Sequence, residues 1–291
     1  LQHLAAVFEK LQQYSLYCKP HKCSFGKPEA TFLGFIVGGG QRRMDPSVTA
    51  AVRAWTAPTD VGGIRSFMGF VNHYREFIDG LSTIAAPLTT LQSPKVPWAW
   101  GDEQQKAFDR LKEAVCTAPV LRIFDASKPI RVHVDASGWA TGATLLQDFG
   151  DGWRPVAYTS KKLNDAQRNY SAYDRELLAV YRAVLHWRCY LQGNRFEVVT
   201  DHATLQHLLD QPVLTNSRRI RWVSDLMDYD FRIVYSPGAS NPADPLSRLL
   251  YLSATMEGGW TVLREMNVTA PAVATALLAD IAAGYAADPF Y

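Results

Sequence analysis

The sequence has little cysteine, no long apolar run and almost no net charge, and the first two of these shortages each exclude a class of protein. Its four cysteines are scattered over 291 residues, which excludes the framework of a disulfide-rich secreted domain and favours a reducing compartment. No stretch approaches the roughly 18 consecutive apolar residues of a membrane span, and no secretory signal opens the chain. A net charge of +2 does not by itself indicate a nucleic-acid-binding protein. We therefore expect an intracellular protein that makes no membrane contact.

The chain does contain enough apolar material for well-packed cores. Hydrophobic residues make up 47% of it, as in ordinary globular proteins, and its length predicts about two domains. Because the first residue is Leu rather than Met, we expect a fragment of a longer protein. Residues 251–291 are rich in Ala and carry one basic and four acidic side chains, unlike the preceding 250 residues. This segment is predicted to be a linker into a further domain.

Residues 1–125 combine a hairpin pattern with a largely helical stretch. Residues 1–18 have a helical period, and residues 31–37 indicate a strand or hairpin arm that ends in three glycines. Asp45 and Pro46 are typical of a helix start, and further helical patterns cover residues 61–77 and 102–115. No group of acidic residues accompanies these patterns. The first half is therefore predicted to have a packing role or to guide nucleic acid, rather than to contain a catalytic site.

From residue 126 onward the pattern changes to that of an α/β domain. Three short strand patterns joined by turns come first, and a long helical pattern and a fourth strand follow them. Two short helices, a fifth strand and a last helix complete the order β-β-β-α-β-α-α-β-α. In order, these elements are expected at residues 130–135, 141–147, 154–160, 171–191, 196–200, 204–209, 217–228, 231–235 and 242–249.

Four carboxylates fall at the ends of these elements or on the long helix. Asp135 ends the first strand, Asp201 follows the fourth, Glu176 lies in the first turns of the long helix, and Asp244 begins the last helix. If the first and fourth strands are neighbours, Asp135 and Asp201 emerge side by side at one sheet edge, and Glu176 can face them. Asp174 points about 200° away from Glu176 around the helix, so only one of the two can join.

Such a group of acids has two interpretations that the residues alone leave open. Carboxylates in contact raise one another's pKa, and proteins tolerate such a cluster mainly where cations neutralise it. Oxygen ligands without Cys or clustered His favour Mg²⁺ or Mn²⁺, and two such ions about 4 Å apart support phosphodiester hydrolysis. The alternative is that all four acids are ordinary helix caps and turn residues.

Four segments resemble, in order, the signature segments of retroviral-type ribonuclease H (RNase H) domains, and more narrowly those of gypsy-type LTR retrotransposon polyproteins. They are VHVDAS (132–137), YDRELLAV (173–180), TDHATL (200–205) and NPADPLSR (241–248). Upstream, LYCKPHKCSFGKPEATFLGFIV (16–37) is similar to the segment that follows the polymerase aspartates, and IRSFMGFVNHYREFI (64–78) to the thumb and connection region. GYAADPFY (284–291) resembles the spacer before an integrase.

The resemblance implies a fold and a division of the chain. The expected fold is α/β, an RNase H-like mixed five-stranded sheet with flanking helices, preceded by a mainly helical thumb and connection region. Residues 1–44 would be the hairpin that ends the reverse transcriptase palm, and residues 45–125 the thumb-like and connection-like helical region. Residues 126–250 would be the RNase H-like domain, and residues 251–291 the linker toward a missing integrase module.

The resemblance also implies an activity. The paired aspartates of the palm do not occur in the sequence, so DNA synthesis would belong to the parent RNA-directed DNA polymerase. The chain's own chemistry would be that of a ribonuclease that cleaves the RNA strand of RNA–DNA hybrids, with two Mg²⁺ ions, or Mn²⁺ in their place. The catalytic residues and metal ligands would be Asp135, Glu176, Asp201 and Asp244. Further candidates for nucleic-acid binding are His202, Arg218, Arg219, Arg221 and Tyr235.

The expected partners are an RNA–DNA hybrid and the remainder of the polymerase and integrase polyprotein, in a cytoplasmic virus-like particle or the nucleus. Two other classes stay open. One is an inactive nucleic-acid-binding remnant of a decayed element, and the other is a structural interaction domain that has lost catalysis. The presence of all four acids argues against inactivation by point mutation, while the missing palm favours a truncated copy.

Overall fold

The structure, a computed structural model, describes residues 2–19, 23–208 and 216–237. Asp244, the helix predicted at 242–249 and the linker predicted at 251–291 lie outside the described residues. No helix within the described ranges has both the length and the apolar character needed to cross a membrane.

The first half begins with a helix and contains a small antiparallel sheet. Helix α1 (Gln2–Gln13) has no buried residue. The sheet has the order β1-β2-β3-β4, and its last strand comes from the end of the helical region and pairs with β3. The hairpin predicted for residues 1–44 is therefore part of a larger sheet. The four strands are β1 (Glu29–Phe32), β2 (Phe35–Gly38), β3 (Gln41–Met44) and β4 (Leu121–Arg122).

Five helices lie between β3 and β4 and form the first core. Asp45 and Asp60 begin the first two of them, since their carboxylates accept hydrogen bonds from the N–H groups of Ser47 (2.8 Å) and Gly63 (2.6 Å). Large side chains such as Phe67 are fully buried in this core. The helices are α2 (Pro46–Ala54), α3 (Val61–His73), α4 (Leu81–Ile84), α5 (Ala86–Leu91) and α6 (Asp102–Cys116), with a 3-10 turn at Arg75–Phe77.

The second half contains a mixed five-stranded sheet, as predicted. Its order is β7-β6-β5-β8-β9, in which β5, β6 and β7 are antiparallel and β5, β8 and β9 are parallel. The first and fourth predicted strands of this half are neighbours, which is the condition on which the gathering of the acids depends. The strands are β5 (Ile130–Ala136), β6 (Ala140–Asp148), β7 (Trp153–Lys162), β8 (Phe196–Thr200) and β9 (Phe231–Tyr235).

Helix α8 (Ala172–His186) packs across this sheet and carries Glu176. Leu177, Val180 and Val184 on its inner face join Val132 and Val134 of β5 in the second core. The helix predicted for residues 171–191 is in fact two helices, because the backbone leaves the helical conformation at position 187 (φ −99°, ψ 25°). The helices of this half are α7 (Asp165–Arg168), α8 (Ala172–His186), α9 (Arg188–Leu191) and α10 (Ser217–Leu226), with a 3-10 turn at Ala203–His207.

The two halves meet at strand β7. The N–H of Ser82 donates to the hydroxyl of Ser160 at 2.8 Å, and the guanidinium of Arg75 donates to the carbonyl of Ser160 at 3.1 Å. Tyr158 of the same strand packs against the first core. The helical region therefore contacts β7, the edge strand of the five-stranded sheet. Asp135 and Asp201 lie at the ends of other strands of this sheet, β5 and β8.

Candidate functional site

Three of the four predicted acids lie together at one edge of the sheet. Asp135 is the last residue but one of β5, Asp201 follows β8 directly, and Glu176 lies in the second turn of α8. One oxygen from each carboxylate lies within 4.8 Å of one from each of the others. The parallel pairing of β5 with β8 brings the two aspartates to the same edge, as expected if these strands are neighbours. We call Asp135, Glu176 and Asp201 the acid trio.

The members of the acid trio differ in their exposure to water. Glu176 is 7% exposed, Asp135 is half-buried and Asp201 is exposed. Burial and, after it, the negative charges of Asp135 and Asp201 raise the pKa of Glu176 to about 8, although a hydrogen bond from the N–H of Ala136 opposes them. The Glu176 carboxyl group is therefore mostly protonated at pH 7 in the absence of a cation.

The chemistry of the acid trio fits a divalent cation. The buried Oε2 atom of Glu176 has no hydrogen-bond partner within the described part of the chain, which is costly unless another group approaches it. A cation between three carboxylates would satisfy that oxygen and remove the mutual repulsion. Because all three ligands are oxygens, Mg²⁺ or Mn²⁺ suits them better than zinc or copper.

Asp79 is an acid near the site that the sequence did not indicate. Burial raises its pKa to about 6, and the charge of Asp135 contributes to this, although the N–H of Gly80 opposes it. Burial and the charge of Asp79 in turn raise the pKa of Tyr158 to about 12. The helical region thus adds a carboxyl group to the electrostatic environment of the acid trio.

Asp174 does not join the acid trio, which agrees with the prediction that only one of Asp174 and Glu176 can do so. Its carboxylate forms ion pairs with Arg219 at 2.6 Å and Arg218 at 3.1 Å. The two guanidinium groups also lie over aromatic rings, Arg218 at 3.8 Å from the Tyr170 centroid and Arg219 at 4.7 Å from that of Tyr173. These two nucleic-acid-binding candidates therefore have partners within the protein.

The other three nucleic-acid-binding candidates are placed differently. His202 is half-buried next to Asp201, and its ring meets that of Tyr173 edge-on, 6.0 Å between centroids. Tyr235 is exposed and pairs with Thr200 across β8 and β9, so it lies at the same sheet edge as the acid trio. Arg221 is exposed and forms no ion pair with a described carboxylate. Contact between these residues and nucleic acid stays a prediction.

The replacement Asp174→Asn should destabilise the protein by about 1–3 kcal/mol, because it leaves two partly buried guanidinium groups without a charged acceptor. Burial alone would raise the pKa of Asp174, but hydrogen bonds from Arg219 and Ser171 and the charges of both arginines lower it overall. Urea unfolding at pH 7 measures the loss. Asp165→Asn is the matched control, since Asp165 pairs with an arginine at 3.7 Å but is fully exposed. Equal shifts in the two variants would contradict the prediction.

Comparison with known proteins shows that the chain is similar to parts of reverse transcriptases and transposon polyproteins. Residues 100–198 match the model of the RNase H-like domain found in reverse transcriptase. Over 255 residues the chain is 35% identical to the transposon Tf2-3 and Tf2-4 polyproteins of Schizosaccharomyces pombe, which covers 86% of this chain and 19% of each relative. The chain therefore spans about a fifth of the length of these curated relatives.

Solved structures confirm the fold. The foamy viral protease-reverse transcriptase in complex with an RNA/DNA hybrid superimposes with a TM-score of 0.67 at 22% identity, over 93% of this chain and 36% of that chain. The same protein in complex with dsDNA gives 0.66 at 22% identity, over 81% and 51%. The mixed sheet and its helices form an RNase H-like domain of the reverse transcriptase type. Over most of its own length the chain is thus similar to a part of transposon polyproteins, and residues 100–198 match the RNase H-like domain found in reverse transcriptase.

Proposed function

We propose that this chain hydrolyses the RNA strand of RNA–DNA hybrids and is part of an RNA-directed DNA polymerase. The observation that supports the proposal most is the acid trio, with its unpartnered Glu176 oxygen, at the edge of an RNase H-like sheet. The complex of the foamy viral protein with an RNA/DNA hybrid supports the same class of substrate. Discrimination of RNA from DNA would rest on the 2′-hydroxyl groups.

Asp135, Glu176 and Asp201 would hold the cations, together with Asp244, which lies outside the described residues. Two Mg²⁺ ions, or Mn²⁺, fit these oxygen ligands. When bound, such cations neutralise the carboxylates and stabilise the charge that develops on the phosphate during hydrolysis. Overall, the oxygen of a water molecule gives up a proton and bonds to phosphorus, and the bond from phosphorus to the 3′-oxygen breaks. The 3′-oxygen takes up a proton, so the products are a 3′-hydroxyl and a 5′-phosphate.

The fold prepares the acid trio for this role. Asp135 lies on a central strand and Asp201 at the end of its neighbour, so hydrogen bonds on both sides of β5 and β8 fix their separation. Glu176 must lose its proton before its carboxylate can act as a ligand, because its pKa in the metal-free protein is about 8. Exposed Asp201 leaves the site open to a substrate. We assign substrate contacts to His202 and Tyr235, which lie at the same edge.

The wider setting is also part of the proposal. The chain would act with the rest of the polymerase and with an integrase module, inside the cell, in a virus-like particle or the nucleus. The boundaries at residues 44, 125 and 250 between palm hairpin, helical region, RNase H-like domain and linker belong to the same proposal. The chain matches only a fifth of each relative, so we attribute the activities of the whole polyproteins to it only as a proposal.

Cleavage of a labelled hybrid by the 291-residue chain tests the proposal. With Mg²⁺ present, the RNA of an RNA–DNA hybrid should be cut to products with 3′-hydroxyl ends, while the same RNA alone or paired with RNA should stay intact. A chelator should stop the reaction. Hybrid binding without cleavage would replace the proposal with the inactive remnant, and neither binding nor cleavage would favour the structural interaction domain.

A further inference from the structure

A groove of about 670 Å³ lies between α8, α10 and the strands β6 and β7. Helix α8 contributes Arg182 and His186 to its lining, strand β7 contributes Lys161, and the 3-10 turn of the helical region contributes Arg75. Arg221 of α10 lines it as well. Among the residues that the structure describes, no Asp or Glu lines this groove.

Arg218, which also lines the groove, pairs with Asp174, but the other positive charges of the groove have no carboxylate partner within the described residues. Arg182 donates to the Thr141 hydroxyl at 3.2 Å and to the Gln167 amide oxygen at 2.9 Å, and Arg75 donates to a backbone carbonyl. Neutral acceptors hold these guanidinium groups in place but leave their charge uncompensated. Lys161 is exposed and forms no ion pair with a described residue.

The local potential is positive enough to affect a titratable neighbour. Burial lowers the pKa of His186, and the charges of Arg75 and Lys161 lower it further, although Glu76 opposes them. Cations that repel one another in a shared concave surface are stabilised by a bound anion. The groove therefore favours a ligand that carries several negative charges.

The aromatic side chains of the groove already have partners. The guanidinium of Arg218 covers the ring of Tyr170 at 3.8 Å, and Tyr181 stacks on Trp222 with centroids 5.7 Å apart. Proteins that hold single strands by stacking need free ring faces for the bases. This groove instead offers charge, which attracts a phosphate backbone without regard to base sequence.

The register of the sheet places the groove beside the acid trio. Asp135 pairs with Gly142 and Gly142 with Ser160, so the residue before Lys161 lies two strands from Asp135. Adjacent strands are about 4.8 Å apart, which makes this distance about 10 Å. A cavity of this volume suits a ligand of drug size, or a few nucleotides of one strand, rather than a duplex.

We propose that this groove binds the phosphodiester backbone of a single nucleic-acid strand that continues from a hybrid held at the acid trio. The choice of ligand rests on the proposed function, while the binding itself requires no catalysis. Because charge rather than stacking holds the strand, the affinity should be independent of sequence and should fall steeply with salt.

The replacement Lys161→Gln tests the groove, with Lys162→Gln as its matched control. Both lysines are exposed residues of β7, but alternation along the strand places Lys162 on the opposite face, and it does not line the groove. The probe is a labelled mixed-sequence single-stranded DNA, titrated with the full chain in chelator by fluorescence anisotropy at several salt concentrations. Lys161→Gln should weaken binding several-fold and reduce the slope of log affinity against log salt by about 0.7, while Lys162→Gln should match the wild type.

Three other outcomes of the binding experiment would overturn the proposal. Equal losses in the two variants would mean that general surface charge binds the strand, and no loss in Lys161→Gln would exclude the groove. Lys161-dependent binding of a polyglutamate peptide without such binding of DNA would assign the groove to an acidic protein. Since the titration contains no divalent cation, a protein that binds in a Lys161-dependent way but never cleaves a hybrid would refute the proposed hydrolysis and leave the groove intact.

Discussion

Asp135→Asn should reduce hydrolysis of the RNA strand of a hybrid by about 100-fold or more, while the protein stays folded and still binds the hybrid. The amide has nearly the shape of the carboxylate but lacks the charge on which cation binding depends. Loss of one preorganised electrostatic group in an active site commonly costs about 10²–10³ in kcat. The measurement is the initial rate of cleavage with saturating hybrid and Mg²⁺.

Asp228→Asn is the control for Asp135→Asn, because Asp228 is an exposed aspartate of the same half outside the acid trio. Its rate should stay within a factor of two of the wild type. Urea unfolding of both variants separates loss of activity from loss of structure. A folded Asp135→Asn variant that cleaves at more than a third of the wild-type rate would show that hydrolysis takes place elsewhere.

The acid trio could be predicted because its signals are local. The alternation of Val132 and Val134 with polar neighbours indicates a strand, and the acid at its end then falls at a sheet edge. The helical period separates Glu176 from Asp174. One further condition, that β5 and β8 are neighbours, came from no local pattern, and the resemblance to RNase H domains supplied it.

Contacts between residues far apart in sequence could not be predicted in this way. Arg218 and Arg219 form an arginine-rich helix start, which indicates a phosphate-binding surface, but their carboxylate partner lies at position 174. The pairing of β4 with β3 and the approach of Asp79 to Asp135 depend equally on tertiary structure. Nothing near Asp79 in the sequence marks it, because its raised pKa comes from burial and from the charge of Asp135, and both depend on the tertiary structure.

The acid trio is a place where function and stability conflict. The buried Glu176 leaves one oxygen unpartnered and lies beside two other acids, although an uncharged side chain would suit that position better in the metal-free protein. Catalytic sites that bind cations commonly carry such a cost, which the cation offsets when it binds. The size and pH dependence of this cost can be measured directly.

Glu176→Gln should therefore stabilise the metal-free protein at alkaline pH while it removes hydrolysis. The pKa of Glu176 is about 8 in the folded protein against 4.5 for an unperturbed glutamate, so between these values the folded state retains a proton that the unfolded state has lost. The wild type should lose stability as the pH rises from 4.5 to 8, by a few kcal/mol at most. The variant lacks this titration, so it should equal the wild type near pH 4.5 and exceed it most at pH 9.

Urea unfolding in chelator across this pH range measures the difference, and Glu197→Gln provides a control of opposite sign. Hydrogen bonds from Arg232 and Arg131 lower the pKa of Glu197, although burial opposes them, so its contribution to stability is present at neutral pH and lost in acid. Glu197→Gln should thus be less stable than the wild type at pH 7, with a difference that shrinks as the pH falls below 4.5. Mg²⁺ at pH 9 should stabilise the wild type but not Glu176→Gln. A Glu176→Gln variant that is less stable than the wild type at pH 9 in chelator would show that the ionised carboxylate has a partner in the folded protein, and that no cation is needed to hold it there.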